Sequence, residues 1–531
     1  MQAAYGLMAV HGRARGAPRR LRLDYVSTTA GVVATQGVLA ALLAGLRGRP
    51  VDAVAVSVAG AALMTISQYL AAGSAIDPDH VEPDPTAGVP PPFVSADGVR
   101  FELETLYPEP WHRMWCALGV DPRLVARGWR SFVLRYANAA APLPVELHAA
   151  TRARAYGQLD GAATAAGMAI LPLRGHTGRL ADFAPSGRVG PPWSIRAFDG
   201  SSPARPVGVD MPAAAAELPL AGLTVVEAGR RVQGPLAGHL LGMLGAEVIR
   251  MEPAGGDPLR GMPPMVGDCS ARFLALNRHK RIVEVDLRSS SGVATVRDAV
   301  LGADAFVHNW APGRAAGFGL DAADFAGVHP GLVYAHASGW GDVPVDGSPP
   351  GTDFMVQAYA GLGEQLSAPD EPPAGSLMTL LDVLGGLVCV EGILAGLVAR
   401  ARTGRGHRVD TDLLSAAGVL QTPLIESGGM SGQVSGPLAA PLPVADGHVM
   451  VAAGCPADVL IRATGAADHG AAVRVLRRMT ADEALTVLGA AGGTAVRVCP
   501  EPGLLAADPA ALPLIEMDGC AFVRPPWRFT R

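Results

Sequence analysis

The sequence predicts an α/β protein, with a Rossmann-like parallel sheet in a large domain and a smaller α+β domain. One observation is that strand-like and helical patterns alternate after residue 218, which is typical of a parallel sheet covered on both faces. Another is that two distant stretches of the chain are similar to each other. The third is size, because 531 residues, 49% hydrophobic and 17% charged, can bury several cores.

The sheet is predicted from a series of short apolar runs bounded by glycine, proline and polar residues. The predicted strands are 223–227, 247–252, 282–286, 305–309 and 332–338, and the predicted helices between them include 236–244 and 293–301. This order places the large domain at roughly 218–400, with a C-terminal return to it, and the small domain at roughly 410–500.

The internal similarity relates residues 37–63 to residues 392–420. Each stretch has an apolar helix, an Arg/Gly turn, a Val-Asp pair and a serine five residues later. Each is followed by an Ala-Asp-Gly turn and ends on Pro-Pro-Trp, at Trp193 and at Trp527. The first stretch lacks the sheet pattern, so we predict a sheet-less partial copy over 20–196, a Pro/Ala/Gly-rich linker over 197–217 and a complete unit over 218–531.

Composition argues against several classes of partner. A formal net charge of −5 and the lack of a Lys/Arg-rich run predict no nucleic-acid partner. The six cysteines form no C-x-x-C pair, which predicts a reduced, cytoplasmic protein without a structural metal. Residues 53–76 are uncharged and exceed the roughly 20 residues that cross a bilayer. Since they are rich in Ala, Gly, Ser and Val and include Gln68, we expect a buried core segment and no membrane association.

Asp353 follows the last predicted strand of this series. A polar Gly/Pro loop over 339–352 leads to a helical pattern that restarts at Phe354. Asp353 is therefore expected at a helix N-terminus, where backbone N–H groups favour an anion. It is either an ordinary N-cap or a functional carboxylate, and its place beyond the carboxyl end of a strand favours a function.

The first strand–helix turn, 229–235, indicates the class of ligand. It carries Arg230 and Arg231 where a dinucleotide-binding turn would have glycines, and Pro235 suits the first turn of a helix. Arginines suit phosphate groups better than a ribose. Glu252 at the end of the next strand leaves an NAD site as a weaker alternative.

Together these features resemble the family III CoA-transferases, the relatives of formyl-CoA transferase, carnitine CoA-transferase and α-methylacyl-CoA racemase. Each motif is weak alone, but all occur in the family's order and span the second unit. They are Gly234-Pro235, 244–249 and Glu252-Pro253, Asn277-Arg278-His279-Lys280-Arg281, His308-Asn309-Trp310-Ala311-Pro312-Gly313, Asp353 with Gln357-Ala358 and Gly361, and Thr403–Gly406 with Val409-Asp410.

The resemblance implies that coenzyme A, as an acyl-CoA, and a carboxylic acid acceptor are the substrates, with no metal. It implies Asp353 as the nucleophile, which forms an aspartyl anhydride and then an aspartyl-CoA thioester. Oxyanion donors are expected from the glycines of 361–363 or 385–386. The residues that would line the cleft for the nucleotide end of CoA are Gln233, Asn277, Arg278, Lys280 and Arg281, with Arg314 as the candidate to compensate for Ala311, where the family usually has arginine.

Two alternatives stay open. A racemase-type or isomerase-type enzyme would use acid/base chemistry at the same site, with Asp382 as the second aspartate. Racemases of the family have His-Asp where this chain has Thr352-Asp353, which disfavours that alternative; His329 and His336 are the nearest histidines in sequence. The third class is a non-catalytic homologue that binds acyl-CoA.

The partial copy raises a question of assembly. Family III transferases resemble two interlocked rings, in which each active site lies between one subunit's large domain and the other's small domain. We therefore expect 20–196 to pack against the large domain, as a partner's small domain would. The chain would then be a pseudo-dimeric monomer or a homodimer of another kind. The alternative is an inert appendage.

Overall fold

We describe the fold from a computed structural model that covers residues 1–80, 84–183, 188–198, 218–347, 349–428, 436 and 438–530. We call residues 1–198 the N-terminal segment and residues 218–530 the C-terminal unit. The predicted linker lies outside the described residues from 199 to 217. The domain bounds at 20, 196 and 218 therefore stay predictions.

The strands are short and occur in both parts of the chain. In chain order they are β1 Ala53–Val56, β2 Phe93–Val94, β3 Arg100–Glu104, β4 Ala169–Pro172, β5 Trp193–Ala197, β6 Thr224–Ala228, β7 Glu247–Pro253, β8 Met265–Val266, β9 Cys269–Ser270, β10 Arg281–Val285, β11 Ala305–His308, β12 Val333–Ser338, β13 His407–Asp412, β14 Leu442–Val444, β15 Gly447–Val451, β16 Ala495–Arg497, β17 Ile515–Asp518, β18 Cys520–Val523 and β19 Trp527–Thr530.

The helices surround these strands. They are α1 Leu7–Gly12, α2 Tyr25–Leu46, α3 Val58–Met64, α4 Ser67–Ser74, α5 Pro108–Ala117, α6 Pro122–Asn138, α7 Val145–Arg152, α8 Tyr156–Ala166, α9 His176–Phe183, α10 Gln233–Met243, α11 Ala271–Asn277, α12 Ser290–Leu301, α13 Arg314–Phe318, α14 Ala322–Ala326, α15 Asp353–Tyr359, α16 Leu362–Leu366, α17 Leu380–Thr403, α18 Leu413–Glu426, α19 Val459–Thr464, α20 His469–Leu476 and α21 Ala481–Ala490. Short 3₁₀ turns lie at Arg13–Arg15, Pro258–Gly261, Pro502–Ala507 and Leu512–Leu514.

The large sheet has the strand order β10-β7-β6-β11-β12-β13-β5. The strands from β10 to β13 are parallel, as predicted for a Rossmann-like sheet. Strand β5 is antiparallel to β13 and comes from the N-terminal segment. The N-terminal segment, predicted to lack a parallel sheet of its own, thus adds an edge strand to the sheet of the C-terminal unit. Its Pro-Pro-Trp stretch continues as an extended strand that pairs with the exposed edge of β13.

A second strand pair joins the ends of the chain in the same way. β1 from the N-terminal segment is antiparallel to β19, which begins at Trp527. Each Pro-Pro-Trp strand thus pairs with the Val-Asp strand of the other part of the chain. The indole N–H of Trp527 also donates to the Val33 carbonyl in α2 (2.7 Å). Because both pairings cross between the parts, the N-terminal segment and the C-terminal unit share a core.

Helices α17 and α2 form the centre of that core. The Tyr25 hydroxyl of α2 donates to the carbonyl of Leu380 (2.8 Å), and the Gln36 side chain donates to the carbonyl of Leu387 (2.6 Å). Both helices are long and apolar enough to cross a membrane by length and composition. In α17, however, 89% of the most apolar window is buried, against 50% in α2. The uncharged stretch 53–76, by contrast, divides into β1, α3 and α4.

Two small α+β layers lie outside the large sheet. In the N-terminal segment, β2-β3-β4 pack with α5 to α8 around Trp111 and Trp115. In the C-terminal unit, β14-β15-β16 pack with α19 to α21. Each layer has its own apolar cluster, separate from the one around α17. The first layer carries β3 and α6 to the neighbourhood of Asp353.

Candidate active site

Asp353 lies where the loop after β12 returns to the carboxyl end of the sheet. The two ends of this loop lie close together, since a Cβ built on Gly339 would lie 2.2 Å from the Gly351 carbonyl oxygen. Asp353 is the first residue of α15, and Thr352 is the N-cap. The N-cap interpretation of Asp353 is therefore wrong. Its side chain is fully buried.

The carboxylate of Asp353 lies at the start of a different helix. Its Oδ2 accepts hydrogen bonds from the backbone N–H groups of Leu381 (2.6 Å) and Asp382 (2.7 Å), in the first turn of α17. These N–H groups have no partner within the helix, and the helix dipole favours negative charge there. The side chain of Thr379, the N-cap residue, accepts no hydrogen bond from this end. The distant aspartate therefore completes the N-terminus of α17.

Gln357 holds the other carboxylate oxygen. Its side-chain NH₂ donates to Oδ1 of Asp353 and to the Ser376 carbonyl (2.9 Å). Its Oε1 accepts from the Ser376 N–H (2.8 Å). These two bonds to Ser376 fix the orientation of the amide, so the group that faces Asp353 is a donor. Because N–H donors face both carboxylate oxygens, Asp353→Asn would place its own NH₂ group against a donor and is not a structurally neutral change.

Burial controls the protonation of the aspartate pair. It raises the pKa of Asp353 to about 6, against hydrogen bonds from Gln357 and the two backbone N–H groups that lower it. Burial and the charge of Asp353 raise the pKa of Asp382 to about 8. Removing a carboxylate from water disfavours its charged form, and a second charge nearby adds to that cost. Three N–H donors, from Gln357 and from the backbone of Leu381 and Asp382, face Asp353 and favour the negative charge of the pair there.

Residues of the N-terminal segment surround this site. Glu104, at the end of β3, accepts hydrogen bonds from the Thr352 hydroxyl (2.7 Å), from Arg135 (3.1 Å) and from the Tyr136 hydroxyl. The Tyr136 ring packs on Phe354, with ring centroids 4.6 Å apart. The segment therefore positions both neighbours of Asp353 in the chain. The sequence gives little sign of this, because the partners lie more than 200 positions away.

An arginine and two further tyrosines complete the surroundings. Arg231 has φ 65°, which is rare for a residue with a side chain, and its guanidinium lies 4.7 Å from the Tyr136 ring centroid. It opposes the rise in the Asp382 pKa that burial causes. Burial also raises the pKa values of Tyr25 and Tyr69, and the charge of Asp353 adds to both shifts. The phenols thus stay neutral beside the carboxylate.

The predicted CoA-binding residues do not form one cluster. Gln233 begins α10, and its side chain donates to the Ser338 carbonyl (3.4 Å) near the Asp353 loop. Asn277 and Lys280 do meet, because Lys280 donates to Oδ1 of Asn277 (2.9 Å). Lys280 is nevertheless buried and ion-paired with Glu227. Burial lowers its pKa to about 8.

The remaining predicted cations lie apart. Arg278 pairs with Glu516 (3.3 Å), beside the β17–β18 hairpin. Arg281 lies on the outer edge of the sheet, where it pairs with Glu247 (3.3 Å). Arg314 lies over the Phe318 ring on α13. The three cations of 277–281 thus pair with different protein carboxylates. That this segment lines the cleft for the nucleotide end of CoA stays a prediction.

Other sequence hypotheses are also corrected. Glu252 accepts from Arg250 (3.1 Å) and Arg260 (2.8 Å) in a buried network, so it is not free for a ribose. Gly385 lies inside α17, where its N–H belongs to the helical ladder and cannot bind an oxyanion. His329 bonds to the Ala303 carbonyl (2.7 Å) and His336 to the Trp310 carbonyl (3.1 Å), so neither supplies the missing histidine.

A metal site is not visible in the part of the chain that the structure describes, where no group of three or more His, Cys, Asp or Glu side chains is placed to hold an ion. The candidate site consists instead of the Asp353–Asp382 pair, its backbone donors and the aromatic and basic groups around it. The backbone and amide N–H groups can keep the buried Asp353 carboxylate ionised and can stabilise negative charge that develops on its oxygens during a reaction.

Comparison with known proteins identifies the same family. The sequence profile of CoA-transferase family III matches residues 1–182 and 220–485. Among curated proteins, mouse succinyl-CoA:glutarate CoA-transferase is 34% identical over 200 residues, which are 37% of this chain and 46% of the relative. Agrobacterium fabrum succinate–glutarate CoA-transferase is 32% identical over 44% of this chain and 63% of its own. Acetobacter aceti acetyl-CoA:oxalate CoA-transferase is 34% identical over a match that covers 40% of this chain and 53% of the relative.

Solved structures agree. A CaiB/BaiF family protein from Brucella suis has a TM-score of 0.52 and 28% identity, over 59% of this chain and 93% of its own. Rv3272 from Mycobacterium tuberculosis has a TM-score of 0.50 and 26% identity, over 58% of this chain and 92% of its own. The chain spans about half the length of the curated relatives it matches, between 46% and 63% for those above.

Proposed function

This chain belongs to CoA-transferase family III, and on that premise we propose that it moves coenzyme A from an acyl-CoA thioester to a carboxylic acid, with Asp353 as the nucleophile. The observation that carries the proposal is the buried Asp353 carboxylate, held by two backbone N–H groups and one amide at the start of α17. A pKa of about 6 leaves it ionised at neutral pH. The names of the relatives, which transfer CoA between organic acids, support the same class of reaction.

The reaction would proceed by acyl exchanges. Oδ1 of Asp353 attacks the thioester carbonyl, the C–S bond breaks, and an aspartyl anhydride and a CoA thiolate form. The thiolate attacks the Asp353 carbonyl carbon, which gives an aspartyl-CoA thioester and releases the first acid. The second acid then attacks that thioester, and the thiolate returns to the new acyl group and frees Asp353. Each step is easier than direct displacement between the two acids.

The backbone donors suit the step at the Asp353 carbon. When that carbon becomes tetrahedral, negative charge develops on Oδ2, which faces the N–H groups of Leu381 and Asp382 at 2.6 and 2.7 Å. Donors preorganised at about 2.7–3.1 Å from a developing oxyanion stabilise it strongly. We therefore assign the oxyanion role to the start of α17 in place of Gly385 and Gly386.

Trapping tests the proposal. The protein is incubated with a panel of acyl-CoAs, including succinyl-CoA and oxalyl-CoA, and then with hydroxylamine. The aspartyl-CoA thioester would give a hydroxamate on the peptide that contains Asp353, which mass spectrometry locates. The same panel with Asp353→Ala provides the control. An unmodified Asp353 in a preparation that transfers CoA would contradict the nucleophile assignment.

The Asp353–Asp382 pair supports a second candidate, acid/base isomerisation of a 2-methylacyl-CoA. The two carboxyl groups have pKa values raised to about 6 and about 8, so at neutral pH one is a base and the other an acid. Deuterium uptake at the α-carbon, in D₂O and without an acceptor acid, would favour this chemistry. A non-catalytic homologue that binds acyl-CoA would give neither deuterium uptake nor trapped aspartate.

We also propose that the N-terminal segment stands where a partner's small domain would, which makes the chain a pseudo-dimeric monomer. The contacts of Glu104 and Tyr136 at Asp353 and the two crossed strand pairs support this. Removal of residues 1–198 should give an insoluble or inactive protein, because the α2-facing side of α17 becomes exposed. A truncated protein that is soluble and fully active would show the segment to be an appendage. The cytoplasmic location of the protein stays a prediction.

A further inference from the structure

A series of hydrogen bonds connects the start of the N-terminal segment to the carboxylate of Asp353. His11, in α1, bonds through Nδ1 to the Ser376 hydroxyl (2.9 Å). The backbone N–H and carbonyl of Ser376 hold the Gln357 side-chain amide at 2.8 and 2.9 Å. This amide donates to Oδ1 of Asp353. Direct bonds therefore link α1 to the proposed nucleophile.

The Ser376 hydroxyl is held from two sides. It accepts a hydrogen bond from the Met378 N–H (3.2 Å), so its own proton is available to the ring nitrogen of His11. Burial lowers the pKa of His11 to about 3. The ring is therefore neutral at physiological pH, and Nδ1 can accept that proton.

Ser376 lies in the loop between α16 and α17 and is 1% exposed. Because this loop has no helical or strand ladder of its own, bonds to neighbouring elements determine its position. A cavity of about 120 Å³ adjoins the loop and is lined by His11, Gly375 and Leu377. The loop therefore has space to shift when its bond to His11 is lost, and the Gln357 amide would shift with it.

The corresponding place in the N-terminal segment has no such serine. There Gln2 accepts from the Leu21 N–H (3.1 Å), just as Gln357 accepts from the Ser376 N–H. Leu21 thus takes the position of Ser376, and its buried side chain carries no hydroxyl. The fold can form the glutamine contact without a serine and a histidine. This pair accompanies the glutamine that holds an aspartate.

We propose that His11 is a positioning residue for Asp353 and acts through Ser376 and Gln357. The inference rests on the proposed function and adds a residue of the N-terminal segment to that site. The role of His11 is to hold the loop before α17, so that the Gln357 amide fixes Oδ1, the atom proposed to attack the thioester. Reaction rates depend steeply on such placement. An N–H donor at a carboxylate also lowers its pKa.

The test measures kcat, KM and the pH dependence of kcat for the full chain, with the acyl-CoA of the panel that gives the fastest transfer. His11→Leu should lower kcat about tenfold and leave KM unchanged, because the carboxylate moves and the substrate contacts do not. The pH at which kcat falls to half should move upward, because a weakened donor raises the Asp353 pKa. His11→Asn, whose amide can still bond to Ser376, should restore most of the rate. His112→Leu, at an exposed histidine of the same segment, is the matched control and should behave as wild type.

A double-mutant cycle tests the route. Ser376→Ala should lower kcat about as much as His11→Leu, and the double variant should lose no more than either, because both changes break one bond. In a Gln357→Leu background, His11→Leu should have no further effect on kcat. Thermal unfolding of each variant gives its folded fraction, to which the rates are corrected. If His11→Leu does not fold, His11→Asn and Ser376→Ala still carry the test.

Three outcomes overturn the inference. If the variants keep the wild-type kcat and pH dependence per folded molecule, His11 only stabilises the fold, and the proposed function stands. If the losses of His11→Leu and Ser376→Ala add, His11 acts by another route, and the proposed function again stands. If wild type transfers no CoA, or Asp353→Ala keeps full transfer, the proposed function fails and this inference fails with it.

Discussion

The starts of the two long central helices, α17 and α2, are built differently. The first turn of α17 is buried and receives the carboxylate of Asp353, which lies 28 residues before Leu381 in the chain. The first turn of α2 is capped by its own Asp24, which is exposed and accepts from the Ser27 N–H at 3.4 Å. A local cap only completes a helix, whereas a distant, buried carboxylate at the same place is available for chemistry.

The segments that precede these helices are nevertheless alike. Gln357 bonds to the N–H and carbonyl of Ser376, and Gln2 accepts from the Leu21 N–H (3.1 Å) and donates to the Leu23 carbonyl (3.1 Å). A glycine with positive φ follows each glutamine four residues later, at Gly361 and Gly6. This likeness supports the proposed duplication and extends it to the start of the chain. What differs is the aspartate that Gln357 holds.

The largest expected effect comes from removing that aspartate. Asp353→Ala should lower CoA transfer by at least about 1,000-fold, because it removes the carboxylate that would form the anhydride. Asp24→Ala, at the corresponding helix start, should leave the rate unchanged and cost about 1 kcal/mol of stability as a lost N-cap. Steady-state rates and urea unfolding of both variants check this. Equal losses of activity would remove the distinction between the two helix starts.

Replacing the two glutamines sharpens the comparison. Gln357→Leu removes a donor from Asp353 and leaves the Ser376 backbone unpaired, so activity should fall about 100-fold. Gln2→Leu breaks the matching bonds to Leu21 and Leu23 without touching a carboxylate. It should cost about 1–3 kcal/mol of stability and leave the rate per folded molecule unchanged. Rates corrected for the folded fraction distinguish these results.

The buried carboxylate should also show itself in pH dependence. The pKa of Asp353 is raised from 3.8 to about 6, so the transfer rate should fall about tenfold per pH unit below that value. Its effect on stability has the opposite sign. Between pH 3.8 and about 6 the folded state binds more protons at this site than the unfolded state, so its contribution decreases as pH rises. A rate that stays constant down to pH 5 would contradict the assignment.

The smallest expected effect tests the N-terminal segment. Tyr136→Phe keeps the ring beneath Arg231 but removes the hydroxyl that bonds to Glu104, so kcat should fall less than about tenfold. Tyr107→Phe, 66% exposed in the same segment, is the matched control and should change nothing. If Tyr136→Phe lowers stability but leaves kcat unchanged, the Tyr136 hydroxyl stabilises the fold around the site and has no effect on the reaction rate.

The sequence predicted local features better than distant contacts. Five strands of the large sheet, β6, β7, β10, β11 and β12, were placed within about a residue or two, because apolar alternation and turn residues act locally. β13 and β5 were not predicted as strands of this sheet. Asp353 does lie at the start of the predicted helix, α15, but the N–H groups that bind its carboxylate belong to Leu381 and Asp382 of α17, far along the chain. Lys280 was read from its motif as a phosphate ligand. Its partner Glu227 is 53 residues away, and only the fold brings them together.

The crossed strand pairs also determine when the chain can fold. β1 is made early during synthesis, but its partner β19 is not available until Trp527–Thr530 have left the ribosome. Until then the edge of β1 is an unpaired strand, a known site of wrong association. Contacts between such distant residues also slow folding, because a long loop must close first. The pairing of β1 with β19 is therefore a late event in the folding of this chain.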